Sequence, residues 1–94
     1  MKITFTKHAS QKMKERKIGT ELIKKVLNKP AYLFYDLKEK TFVAIDQITI
    51  DDVRTNLVVV FTKEKEKTRI VTTYPCKNIE REINRKENIR WVKI

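Results

Sequence analysis

His8, Lys12 and Arg16 recur at four-residue steps in the run His8-Ala9-Ser10-Gln11-Lys12-Met13-Lys14-Glu15-Arg16-Lys17-Ile18. Side chains four apart share one face of a helix, so a single stripe offers an imidazole, an ammonium and a guanidinium. That set can hold a phosphodiester and move a proton on it. His8 is the one histidine of the chain, and histidine is the side chain that ordinarily titrates near neutral pH. A solvated basic helix carrying an incidental histidine accounts for the same spacing, since charge runs are usually wet faces.

The elements that must position this stripe can be read on either side of it. Lys2-Ile3-Thr4-Phe5 alternates as a short first strand. Thr6 is placed to cap a helix from Lys7 to about Lys17, with Ala9 and Met13 facing inward and Ile18 closing that face. Gly19 or Thr20 caps a second helix, Glu21 to Asn28, whose apolar face is Leu22, Ile23, Val26 and Leu27; Pro30 ends it. Beyond Pro30 the period changes to two. Strands are expected at Ala31–Asp36, Thr41–Ile50, around Leu57–Phe61 and at Arg69–Tyr74, the last ended by Pro75. Lys38-Glu39-Lys40, Asp51-Asp52 and Lys63–Lys67 are the turns between them. The apolar run Leu57–Phe61 is expected to be the central strand. Asn78 can cap a closing helix with Ile79 and Ile83 four apart, followed by an extended or helical end bearing Ile89, Trp91 and Ile94. Trp91 reads as core packing in preference to base stacking, because a small domain needs large aromatics. The order predicts an α+β domain: an N-terminal strand and two helices packed on one side of a curved, mostly antiparallel sheet of four to five strands, with a C-terminal helix or extension.

The 94 residues fit one domain, 1–94, and 40% apolar content supports a core despite 36% charged residues. A lone cysteine, Cys76, excludes an internal disulfide and a cysteine zinc cluster, and one His with one Cys makes no conventional closed metal site. Neither metal nor cofactor is expected. No apolar run approaches a membrane span and no signal-like segment follows Met1, so a cytoplasmic protein with no membrane contact is expected. The net charge is +10, divided as +7 over residues 1–30, −2 over 31–62 and +5 over 63–94. Such a balance favours a polyanionic partner, either nucleic acid or an acidic protein. It is expected to gather on one face formed by the first helix and the C-terminal region.

Phe5-Thr6-Lys7-His8-Ala9 with Met13, Glu15-Arg16 and Ile18 resembles the signature H-A-x-x-R-M-x-E-R-x-I of a small family of unknown function. Ile70-Val71-Thr72-Thr73-Tyr74-Pro75 resembles the same family's late strand, and the likeness covers about residues 3–75. That family is similar to BrnT-type toxins and to the wider RelE-like ribonuclease fold. The resemblance implies a RelE/barnase-like fold and a metal-independent endoribonuclease of a toxin–antitoxin pair. RNA, free or on the ribosome, is then the substrate and an acidic antitoxin protein the partner. It places functional residues at His8, Lys12 and Arg16 and on the late strand at Thr72 and Tyr74. Two positions depart from the pattern: Lys12 stands where the motif has arginine, losing a bidentate phosphate fork but keeping the charge, and Lys17 stands where glycine is frequent.

Cleavage of RNA without metal needs a base for the 2′-hydroxyl, a cation for the phosphorane and an acid for the leaving oxygen. His8 would be the base, Lys12 and Arg16 the phosphate holders, and Thr72 or Tyr74 a hydrogen-bond donor from a facing strand end. Tyr74 serves equally well as a core residue with a satisfied hydroxyl, and Thr72 as a plain strand former. Two other classes fit the same residues: a non-catalytic basic module that binds RNA or an acidic protein, and an inactive member of the same fold.

Overall fold

The computed structural model describes residues 2–87 and 89–94. The elements are β1 (Lys2–Phe5), α1 (Lys7–Glu15), α2 (Thr20–Asn28), β2 (Tyr32–Asp36), β3 (Thr41–Ile50), β4 (Val53–Glu64), β5 (Lys67–Cys76), α3 (Ile79–Lys86) and β6 (Trp91–Lys93). The strands form one sheet in the order β1-β5-β4-β3-β2-β6. β1 runs parallel to β5, and every other neighbouring pair is antiparallel. The fold is α+β, as expected, with β4 among the central strands.

The sheet has six strands, one more than the four to five expected. The added strand is β6, whose three residues pair with Phe34, Tyr35 and Asp36 of β2. A segment that short shows no alternation, so its pairing is set by tertiary packing: Trp91 stacks on Phe34 with ring centroids 5.4 Å apart. β5 also runs on past Tyr74 through Pro75 to Cys76. β1 stops where Phe5 meets Ile70, so the missing N–H of Pro75 falls along an open strand edge, where proline is tolerated.

Helices α1 and α2 share one face of the sheet, as expected, and α3 covers the other. Ala9, Ile18, Ile23 and Val26 pack with Ala44, Ile48, Leu57, Val59, Phe61 and Ile70 on one side of the sheet. On the other, Ile79 and Ile83 of α3 pack with Phe34, Val43, Ile45, Val58 and Trp91. The reason lies in the unbroken apolar run of β4: Leu57, Val58 and Val59 are all fully buried, and adjacent strand residues point to opposite faces. A run without alternation needs cover on both sides.

The ends of α1 place the candidate stripe. Thr6 Oγ1 accepts from the Ala9 N–H at 3.0 Å and donates to the Val71 carbonyl at 2.9 Å. At the other end, the Ile18 N–H reaches the Met13 carbonyl at 2.9 Å and the Lys17 N–H reaches that of Lys14 at 3.4 Å. This is the two-bond closure that usually employs glycine in the left-handed position. Lys17 occupies that position with φ 54°, so lysine keeps the turn and carries its steric cost. Helix α1 therefore ends at Glu15, two residues before the predicted end.

Candidate functional site

Helix α1 presents His8, Lys12 and Arg16 in the predicted order. His8 is exposed in the first turn and makes no side-chain hydrogen bond or ion pair among the described residues. Lys12 is half-buried, and its Nζ lies 3.4 Å from Glu15 Oε2. Such a solvent-accessible i,i+3 pair is weak and easily exchanged for another anion. Arg16 caps the helix, and its Nη1 donates to the Thr73 carbonyl at 2.7 Å. That carbonyl is open because β1 pairs with β5 only as far as Ile70. Arginine has five N–H donors, so one bond fixes the guanidinium while leaving others for a ligand.

Thr72 and Tyr74 do not join this stripe. Thr72 pairs with Val60 and Tyr74 with Val58, which places both side chains on the α3 face. The residue that points toward α1 is Thr73, fully buried, whose Oγ1 donates to the Val58 carbonyl at 2.8 Å. The five residues therefore divide between two faces of the sheet, with His8, Lys12 and Arg16 on the α1 side and Thr72 and Tyr74 on the α3 side. The same division separates the basic residues of α1 from those of α3, while Lys77, between β5 and α3, shares a cavity with Arg16.

Thr72 and Tyr74 instead line a cavity of 320 Å³ with Thr41, Lys86, Arg90 and Trp91. Burial, and then the nearby Glu82 carboxylate, push Tyr74 up to about 12, so its hydroxyl keeps its proton at any physiological pH. Lys86 lies 2.8 Å from Glu82 and sits over the Trp91 ring, 4.8 Å from its centroid. Arg90 Nε donates to both oxygens of Asp36, at 2.9 and 2.8 Å, and Trp91 Nε1 donates to Oδ2 at 3.2 Å. Backbone N–H groups of Lys38 and Glu39 reach Asp36 Oδ1 at 3.0 and 3.1 Å. Both cations of this cavity are thus held by carboxylates, which makes it a poor anion site and a strong structural knot.

That knot was not visible along the chain. Asp36 and Arg90 lie 54 residues apart, and each sits in an ordinary charged context. Thr55 was missed as well. It is buried, its Oγ1 finds no partner among the described residues, and it lines a cavity of 440 Å³ with Arg16, Ile50, Val53, Pro75 and Lys77. Thr55 lies on β4 between Arg54 and Asn56, where a threonine reads as an ordinary strand residue.

A basic helix laid along an open strand edge of an α+β sheet, with one unpaired histidine in its first turn, defines the candidate site. Residues 5–75 match the model of a family described as a domain of unknown function, DUF4258, and the chain belongs to that family. No curated protein and no solved structure matches it. The matched segment contains α1, Thr72 and Tyr74 but ends before Lys86 and Arg90. Among the described residues, no helix is long and apolar enough to cross a membrane.

Proposed function

We propose that this protein is an endoribonuclease of the RelE- and BrnT-like toxin type, with its reactive groups on α1. The observation that carries the reading is His8: exposed, unpaired, and one turn from Lys12 on a helix whose end is fixed by Arg16. In the reaction His8 takes the proton of an RNA 2′-hydroxyl, and the freed oxygen attacks the adjacent phosphorus. The bond from phosphorus to the 5′-oxygen breaks, and that oxygen takes its proton from solvent. Lys12 and Arg16 offset the charge that develops on the phosphorane oxygens. A base on the protein, not a metal-bound water, starts the reaction, and the product is a 2′,3′-cyclic phosphate. Thr72 and Tyr74, facing away, take no part in this step. An acidic antitoxin as neutralising partner and a cytoplasmic setting belong to the same reading.

The second reading is a non-catalytic module that binds RNA or an acidic protein. It is favoured by the placement of Thr72 and Tyr74, which turns both hydroxyls away from the α1 stripe. Incubating the protein with total RNA in the presence of a chelator, with His8→Ala alongside, decides between them. Cleavage by the parent alone supports the nuclease; RNA binding by both without cleavage supports the module.

A further inference from the structure

Arg16 belongs both to the α1 stripe and to the 440 Å³ cavity beside it. That volume falls within the range of ligand pockets, about 300–1,000 Å³. The cavity is built unlike the other one. Its walls are apolar, from Ile50, Val53 and Pro75, and its charged lining residues are two cations, Arg16 and Lys77. Asp51 and Asp52 stand at the adjoining hairpin tip without lining it. Thr55 is only 8% exposed, and among the described residues its Oγ1 has no hydrogen-bond partner, as is also true of Thr41 Oγ1 in the α3-side cavity. A buried hydroxyl without a partner is destabilising unless a ligand or water meets it, and what sets Thr55 apart from Thr41 is the pair of cations beside it, Arg16 and Lys77, neither held by a carboxylate among the described residues. Val53 is 50% exposed at the cavity rim, an apolar surface that a flat ligand would cover.

We infer that this cavity receives the base of one RNA nucleotide whose phosphate rests on Arg16 and Lys77. Ile50, Val53 and Pro75 cover the faces of the base. The Thr55 hydroxyl, able to donate and accept, meets its edge. A base with no matching group leaves that hydroxyl buried and unpaired, which is how a polar pocket rejects the wrong ligand. Thr55 is then a specificity-determining residue. The inference rests on the RNA reading of the α1 stripe and extends it to the neighbouring nucleotide.

The test titrates each of the four ribonucleoside 3′-monophosphates into the isotope-labelled full chain, following backbone amides by NMR. Shifts are expected at Arg16, Val53 and Thr55, with one base preferred by about tenfold, the lower range of pocket discrimination. Thr55→Val, which keeps the shape and removes the orphan hydroxyl, should level the four affinities to within about twofold and raise the melting temperature. Val53→Asp, at an already exposed position, should abolish binding by placing a carboxylate at the rim. No shifts at these residues, or an unchanged base ranking in Thr55→Val, would overturn the assignment. So would octanoate binding here while all four nucleotides fail, which would mark the cavity as a site for apolar carboxylates. Nucleotide binding without RNA cleavage would leave the cavity standing and remove the nuclease. His8-dependent cleavage without cavity shifts would do the reverse.

Discussion

Arg16 donates from Nη1 to the carbonyl oxygen of Thr73 at 2.7 Å, tying the end of α1 to a strand edge that β1 leaves open. The residue therefore has a structural use independent of any ligand. Hydrogen bonds from charged groups contribute somewhat more than neutral ones, so Arg16→Ala should lower the unfolding free energy by about 1–2 kcal/mol. Urea denaturation reads this directly. An unchanged midpoint would mean that water satisfies the Thr73 carbonyl equally well.

Lys17 offers a substitution in the opposite direction. Its φ of 54° is a conformation glycine adopts freely and a side chain with a Cβ adopts at a cost. Lys17→Gly should raise stability by about 0.5–1 kcal/mol, the relief of strain being partly offset by a looser unfolded chain. A lower melting temperature for this variant would show that the lysine side chain supplies a compensating contact.

Asp36 should govern behaviour in acid. Burial raises its pKa, but bonds from Arg90 Nε and the Glu39 and Lys38 N–H groups, with the Arg90 charge, hold it below the ordinary value. A carboxyl depressed in the folded state contributes stability above its unfolded pKa, about 4, and loses it as pH falls through the lower folded value. Denaturation midpoints should therefore fall below about pH 4 in the parent and change less in Asp36→Asn, which starts less stable. Parallel pH profiles for the two proteins would remove Asp36 as the cause.

Much of this architecture was legible along the chain. The caps Thr6 and Asn78 and the apolar face of α2 followed from residue type and spacing, because each depends on neighbours within a few positions, and the core role of Trp91 followed from residue type alone. The two-sided cover of the sheet is also present in the unbroken run Leu57–Phe61, since a run without alternation needs apolar cover on both faces. What stayed hidden depends on long-range register. A bulge between Val60 and Phe61 shifts the β4–β5 pairing, and whether Thr72 faces α1 or α3 turns on a single residue of offset. The stripe His8, Lys12, Arg16 was visible because it is local; its separation from Thr72 and Tyr74 was not.

Because α1 and α3 lie on opposite faces, RNA held on α1 should not reach the basic residues of α3. Binding to single-stranded RNA should weaken linearly on a log–log plot against salt as counterions are released. Lys12→Ala should reduce the slope by about one, while Arg85→Ala, on the far side, leaves it unaltered. A salt-independent affinity would remove nucleic acid as the ligand.

The most direct measurement is RNA cleavage in excess chelator by the parent protein, His8→Ala and Cys76→Ser. The account predicts that the parent and Cys76→Ser leave 2′,3′-cyclic phosphate ends, while His8→Ala is slower by about 10²–10⁴-fold, the usual contribution of a general base. Cleavage that stops when divalent metal is removed, cleavage that His8→Ala leaves at the parent rate, or intact RNA with every protein would contradict it.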